Sequence, residues 1–295
     1  MFDRMIGNFL KEEGKVTDTQ LRQIYDYQSK HRSRLGVIAV SEGLISIAMA
    51  EEINDIQTTS DARFGEIALS KGYLTQENLQ TLLEKQKDRF TSFCTSIYDL
   101  HIMDEWTLNS EINKYALRYS FNQDQLNILK KDDIDGIIDV FLADVEAEVK
   151  DLYAIYIKSF YRLIDEYVSF EKIQTKTNIS AECIGLQNIS GNGGYSVNIS
   201  GSYNVLCDIA IKYTNEEIVE TKEDALDAIC EFINCVNGIY VTKKSYDEQS
   251  LELEPPEYMS NFANVSSDKI YSLPVVSDGR KLYINISNAS TTQMK

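Results

Sequence analysis

TKEDALDAICEFINCVNG, residues Thr221 to Gly238, is the stretch whose reading decides the second half of the chain, because it has a helix start, a helix period and a helix stop. Thr221 and Asp224 are spaced as a capping pair, and Gly238 is placed to end the helix. Ala225, Leu226, Ile229, Phe232, Ile233 and Val236 line one side. At about 100° per residue, Asp227, Glu231 and Asn234 fall in a stripe nearly opposite, so three polar groups point outward together.

Working outward from this helix, the flanking sequence alternates in the manner of strands. Cys183 to Ile189, Tyr195 to Ser200 and Val205 to Tyr213 precede it, with Gly191-Asn192-Gly193-Gly194 as a turn. Strands are expected again at Ile239 to Lys243, Leu251 to Leu253, Tyr271 to Val276 and Lys281 to Ile286, with Asp278-Gly279 as a hairpin signal. Strand runs interrupted by one strong helix predict an α+β sandwich.

Upstream, Lys87 to about Glu171 reads as helix. Ile134, Ile137, Ile138, Phe141, Leu142, Val145, Val149 and Leu152 recur at helical spacing, and Tyr153, Tyr156, Phe160, Tyr161, Leu163, Ile164, Tyr167 and Val168 continue the pattern. This apolar surface is expected to be core, with an oligomer interface, hence a homodimer, or a coiled linker helix as the alternative. Residues 122 to 133 are the most linker-like stretch.

The front of the chain is an internal repeat. Gly7, Gly36 and Gly65 are 29 residues apart, as are Gly14, Gly43 and Gly72, while Thr17, Ser46 and Thr75, and Gln28, Gln57 and Gln86, keep the same offset. Each unit reads as a helical hairpin: a short apolar helix ends at the second Gly, and a second helix is capped by the Thr or Ser. One unit cannot bury its stripe alone, so the copies must stack. The expected organisation is therefore a triple repeat at 1–90, a helical linker at 91–132, and an α/β domain at 133–295 with a leading long helix.

Charge excludes one class of function. Of a net −17, nearly all lies beyond residue 90, and so acidic a surface repels phosphate backbones, which argues against general nucleic-acid binding. No run approaches the ~20 apolar residues of a membrane span, and Asp3, Arg4 and Asn8 interrupt the start where a signal peptide would be apolar. A cytoplasmic location is expected. The five cysteines are scattered and read as reduced core residues, and with only His31 and His101 in the chain no metal site is expected.

Two resemblances follow from these residues. Arg34-Leu35-Gly36, Gly43-Leu44-Ile45 and Gln57, then Arg63-Phe64-Gly65, Gly72-Tyr73-Leu74 and Gln86, look like tandem MshE N-terminal-type motifs, a family shared with type II secretion and pilus ATPases. That resemblance implies a cyclic di-GMP ligand, with Arg34 and Arg63 on guanine and phosphate, Gln57 and Gln86 in polar contacts, and Gly36, Gly43, Gly65 and Gly72 admitting the ligand close to the backbone. The alternative is a packing or partner-binding scaffold.

Asp227-x-x-x-Glu231-x-x-Asn234-x-x-x-Gly238, set between strands and followed about twenty residues later by Pro255-Pro256, resembles the CheX/CheC chemotaxis phosphatases. The single polar stripe is similar to CheX. The resemblance implies a phosphorylated response-regulator receiver domain as partner, with Mg2+ carried by that partner and no cofactor in this chain. It assigns Asn234 to orienting the hydrolytic water beside an aspartyl phosphate, Glu231 to a lysine of the regulator, and Asp227 to docking. An uncharged amide suits the first role, since phosphoryl oxygens would repel a carboxylate there. The alternative is a non-catalytic adaptor binding a response regulator or another protein.

Overall fold

The computed structural model describes residues 1–31, 35–59, 62–85, 89–131, 133–165, 167–191, 193–215 and 221–294. The architecture is α+β, and the chain divides into two compact units. One comprises Phe9–Arg118 with Lys130–Asp132; the other comprises Met1–Asn8, Tyr119–Leu129 and Asp133–Lys295. Of the stretch that follows the repeat, residues 91–118 thus fall with it, whereas Tyr119–Leu129 and the first eight residues fall with the C-terminal sheet.

The helical unit contains α1 (Phe2–Glu12, from Phe9 onward), α2 (Asp18–His31), α3 (Leu35–Ser41), α4 (Ile47–Thr59), α5 (Phe64–Ser70), α6 (Gln76–Lys85), α7 (Arg89–Asp99) and α8 (Glu105–Arg118). Gly14, Gly43 and Gly72 have φ of 66°, 70° and 70°, the left-handed conformation that ends the first helix of each repeat. Thr17, Ser46 and Thr75 then accept from the backbone N–H of Gln20, Met49 and Asn78 at 3.2, 3.2 and 3.1 Å, capping the second helices.

A fourth unit continues the period without its glycines. The second helices begin at residues 18, 47, 76 and 105, each 29 after the last. His101 stands at the left-handed position with φ 53°, and Asp104 caps α8 by accepting from Thr107 N–H at 2.7 Å. Leu10, Ala39, Ala68 and Ile97 occupy one register and are all fully buried. Their carbonyls accept from Lys15, Leu44, Tyr73 and Ile102 in the same turn geometry. At another register Ile24, Ile53 and Leu82 give way to Glu111, buried and bonded to Lys114 at 2.7 Å.

The four units pair crosswise. In the middle pair α3 packs on α6 and α4 on α5, around Ala39, Ile45, Ile53, Ile67, Leu74 and Leu82. In the outer pair α2 packs on α7, with Gln28 Nε2 donating to the Arg89 carbonyl at 2.8 Å, while Phe9 of α1 meets Tyr115 of α8 edge-on. Arg118 closes that contact over the Phe9 ring and pairs with Glu12 and Glu13. Each hairpin thereby buries its stripe against a partner hairpin. A non-glycine side chain at positive φ costs about 1 kcal/mol or more, so His101→Gly is expected to raise the denaturation midpoint of this unit.

In the second unit, α9 (Gln123–Lys130, up to Leu129), α10 (Ile134–Phe141) and α11 (Ala147–Leu163) lead into a sheet that has, among the described residues, nine antiparallel strands. These are β1 (Ser169–Phe170), β2 (Gln174–Ala181), β3 (Cys183–Gly191), β4 (Tyr195–Gly201), β5 (Leu251–Leu253), β6 (Glu257–Met259), β7 (Ala263–Ser277), β8 (Arg280–Asn288) and β9 (Gln293–Met294). The order is β1-β7-β8-β4-β3-β5, with β2 and β9 on β7 and β6 on β3. Asp278 and Gly279, at φ 49° and 73°, form the expected two-residue hairpin between β7 and β8. Gly191, Gly193 and Gly194 turn the chain between β3 and β4, and Asn192 lies outside the described residues. The helices α12 (Tyr203–Thr214) and α13 (Lys222–Ser245) are inserted between β4 and β5.

Several expectations are corrected here. Val205 to Tyr213 is not a strand but most of α12: its buried residues Val205, Leu206, Ile209 and Ala210 follow a helical stripe, not alternation. Ile239 to Lys243 is not a strand either, and Gly238 does not end the helix. Packing of Val236, Tyr240 and Lys244 carries α13 through the glycine to Ser245, outweighing a propensity deficit of about 1 kcal/mol. The stretch after Lys87 is helical as expected, with five helices among the described residues, and the leading long helix is two, since α10 ends at Phe141 and α11 restarts at Ala147. Of the linker-like residues, Gln123–Lys130 form α9, which Asn122 and Gln125 start by capping each other reciprocally at 2.9 Å, while Asp132 lies outside the described residues. Cys235 is exposed, unlike the buried Cys183 and Cys230.

The aromatic run of α11 is core. Tyr153, Tyr156 and Phe160 are fully buried; Tyr156 and Phe160 meet Phe232 of α13 edge-on, and the Tyr153 hydroxyl donates to the carbonyls of Tyr271 and Ile284. Of the residues considered for an oligomer interface, Leu163 and Tyr167 are the exposed large ones.

Candidate functional site

The site is built on α13. Thr221 Oγ1 accepts from the Asp224 N–H at 3.1 Å, and the Asp224 carboxylate accepts from the Thr221 N–H at 3.0 Å, so the helix starts with the reciprocal cap its sequence encodes. Ala225, Leu226, Ile229, Phe232, Ile233 and Val236 are all fully buried. The helix can lie close to β3 because Gly185 has no Cβ: one there would sit 3.1 Å from Ile229 and 3.4 Å from Ile233.

With that face buried, Asp227, Glu231 and Asn234 are exposed, as the periodicity requires. Among the described residues the carboxylates of Asp227 and Glu231 have no hydrogen bond or ion pair, which leaves both free to meet an incoming cation. Their neighbours register the negative charge. The Cys230 thiol is pushed up to about 11, first by burial and then by Asp227. The Tyr213 phenol of α12 is raised by burial, with the Cys235 thiol and the Glu231 carboxylate adding to it. Tyr258 of β6 is also raised, by desolvation and then by Asp227.

Asn234 is exposed yet tethered. Its Oδ1 accepts from Gln187 Nε2 of β3 at 2.7 Å, and Gln187 Nε2 also donates to the carbonyl of Glu254 at 2.8 Å. Behind it, Asn237 Nδ2 donates to Gln187 Oε1 at 2.9 Å, and the Tyr156 hydroxyl donates to Asn237 Oδ1 at 2.8 Å. Sequence reasoning missed Gln187, Asn237 and Tyr156. The one available signal was Asn237, a polar residue in the middle of the apolar stripe.

The residues singled out in the repeats are placed differently. Arg34 and Gln86 lie outside the described residues. Arg63 is exposed at the start of α5, its N–H donating to Glu66 at 2.8 Å, and Gln57 Nε2 donates to the Ala62 carbonyl at 3.3 Å. Gly36 and Gly65 admit neighbouring side chains of this chain, since a Cβ would stand 2.9 Å from the Phe64 ring and 2.7 Å from Leu79 respectively. Gly43 and Gly72 are the left-handed helix ends, with open space about them. Among the described residues, no three His, Cys, Asp or Glu gather as a metal site would require, and no helix is long and apolar enough to cross a membrane.

Comparison with known proteins bears on the sheet and its helices. Residues 183–274, within the second unit, match the family model described as chemotaxis phosphatase CheX. Similar solved structures include CheX of Desulfovibrio desulfuricans, at 12% identity and TM-score 0.42 over 48% of this chain and 99% of that one. CheX of Vibrio vulnificus is 15% identical, TM-score 0.41, over 50% of this chain and 100% of its own. The CheX of Borrelia burgdorferi, solved in complex with CheY, BeF3 and Mg2+, is 18% identical, TM-score 0.37, over 50% of this chain and 97% of that one. No curated protein matches the chain.

Proposed function

We propose that the second unit docks a phosphorylated receiver domain and hydrolyses its aspartyl phosphate in the cytoplasm. A water oxygen bonds to phosphorus as the phosphorus–oxygen bond to the aspartyl carboxylate breaks, giving the free carboxylate and inorganic phosphate, while the water's proton passes to solvent. Asn234 holds the water and the phosphoryl group in line, Glu231 pairs with a lysine of the receiver, and Asp227 adds to docking. Catalysis of this kind is mostly positioning and electrostatics, so one carboxamide and one carboxylate on a rigid helix suffice. The receiver supplies the Mg2+.

The observation that carries this reading is the exposure of Glu231 and Asn234 one turn apart on α13, inside the segment that matches the chemotaxis phosphatase family. The test is the lifetime of an acetyl-phosphate-labelled receiver domain with and without the protein. A shortened lifetime is expected; binding without shortening would make the protein an adaptor. As a further part of the proposal, the repeats bind cyclic di-GMP through Arg63 and Gln57 together with Arg34 and Gln86, as sensor or tether. Calorimetry on the full chain, with no heat at high protein concentration, would remove that part. Self-association, the remaining partner expectation, is checked by light scattering over a dilution series.

Gly238 adds a prediction with two opposite signs. It lies one turn beyond Asn234 on the same face, and a Cβ there would meet nothing of this chain within 4 Å. Gly238→Ala is expected to stabilise the helix by roughly 0.5–1 kcal/mol and to raise KM for the receiver, because the added methyl group faces the docking side. A melt and a KM measured on the same preparation check both signs.

A further inference from the structure

We propose that Gln187, held by Asn237 and Tyr156, is a positioning residue that fixes the orientation of the Asn234 carboxamide; this rests on the phosphatase reading above. The side chain of an exposed asparagine ordinarily turns freely, since its terminal torsion is broad and two-fold, and can present either its oxygen or its nitrogen. Here it cannot, and the reason is a chain of hydrogen bonds with a defined polarity.

The polarity is set by a backbone carbonyl. The carbonyl of Glu254 only accepts, so Gln187 must turn its NH2 toward it, and both hydrogens of that group are then used, one on Glu254 at 2.8 Å and one on Asn234 Oδ1 at 2.7 Å. Gln187 Oε1 is left to accept, which makes Asn237 present its own NH2 at 2.9 Å, and Asn237 Oδ1 in turn takes the Tyr156 hydroxyl at 2.8 Å. Gln187 is 1% exposed and Asn237 0%, so water does not compete for these bonds. Pro255 restricts Glu254 to an extended conformation, and the Glu254 N–H donates to Asn188 O at 3.0 Å, which holds the anchoring carbonyl against β3.

The consequence for chemistry is directional. With its Oδ1 tethered from below, Asn234 faces outward with Nδ2, a donor of two hydrogen bonds, and with the remaining Oδ1 lone pair. Phosphoryl oxygens accept from the first, and a water hydrogen is taken by the second. The network thus delivers the amide to a docked partner in a prepared state, so that reorganisation does not add to the barrier.

The test uses the full chain and two readouts. Side-chain amide NMR, with the Asn234 NH2 signal identified by its loss in Asn234→Asp, is expected to show that group ordered in the wild type and averaged in Gln187→Met, which keeps length and volume but donates nothing. Steady-state dephosphorylation of a labelled receiver is expected to show kcat lowered on the order of 10- to 100-fold in Gln187→Met with KM unchanged. Tyr156→Phe, which removes one hydroxyl and keeps the ring packing, is expected to move both readouts in the same direction and by less, and it carries the test if Gln187→Met does not fold. An Asn234 amide as mobile in the wild type as that of exposed Asn109 overturns the proposal, as does an unchanged kcat in a variant whose amide has become mobile. A wild type with no effect on the receiver's lifetime is a different failure: it removes the phosphatase reading, while the amide signal still reports whether the tether exists.

Discussion

Asn234→Ala is expected to lower kcat for receiver dephosphorylation by about 10²–10³, the usual effect of deleting one group that stabilises or positions the reacting atoms. Its KM should stay within a factor of two, because docking is assigned to the carboxylates of Asp227 and Glu231. The fold should survive, since α13 is held by its other face, at a cost of about 1–3 kcal/mol for the Gln187 N–H left without its acceptor. Asn234→Asp sharpens the result. The carboxylate can still accept from Gln187 and keep the tether, yet it loses both N–H donors and brings a negative charge to the phosphoryl oxygens, so it should be at least as damaging as alanine. Equal rates for wild type and Asn234→Ala would remove this residue from the reaction.

The second large effect concerns the scaffold. Phe232→Ala is expected to destabilise the second unit by about 3–5 kcal/mol, because it deletes a fully buried ring and leaves a cavity that the surroundings refill only in part. Phe232 meets three rings edge-on: Tyr213 at 5.3 Å, Phe160 at 5.4 Å and Tyr156 at 6.2 Å. It therefore joins α13 to both α11 and α12. A loss of this size is a large share of the 5–15 kcal/mol that holds an ordinary domain together. Chemical denaturation followed by tyrosine fluorescence measures it, and a loss under 1 kcal/mol would mean that the aromatic cluster does not hold α13. Phe232→Leu should recover most of the stability, which separates packing from any role in the chemistry.

The parts that local chemistry specifies strongly were legible in the residues. Thr221 and Asp224 cap α13, Asp278-Gly279 turns the last hairpin, and Gly14, Gly43 and Gly72 end three helices. In each case the signal and its effect lie within four residues of one another. The fourth repeat was illegible for the complementary reason. His101 adopts the glycine conformation, Asp104 replaces a hydroxyl cap, and Glu111 takes an aliphatic core position, so the backbone period survives where the side-chain pattern does not.

Val205 to Tyr213 was misread because Val205, Cys207, Ile209, Ile211 and Tyr213 stand at every second position, with Asp208, Ala210 and Lys212 between them as in a strand, and only Leu206 breaks the alternation. Burial against α13 selects a different subset, Val205, Leu206, Ile209 and Ala210, and makes the segment a helix. Gly238 was misread because a glycine ends a helix when nothing beyond it packs, and here Tyr240 and Lys244 do.

From its residues alone this protein has a repeating helical front, an acidic α+β second half, and a helix whose outward stripe is Asp227, Glu231 and Asn234. Those features depend on periods of 3.6, 2 and 29 residues, which a linear chain displays openly. Tertiary structure alone decided which way Asn234 is turned, since Gln187 is 47 residues away and Tyr156 is 81 residues from Asn237. Hydrogen bonds between residues so far apart form only when a strand, two helices and a backbone carbonyl are brought together, and no pattern along the chain records that meeting.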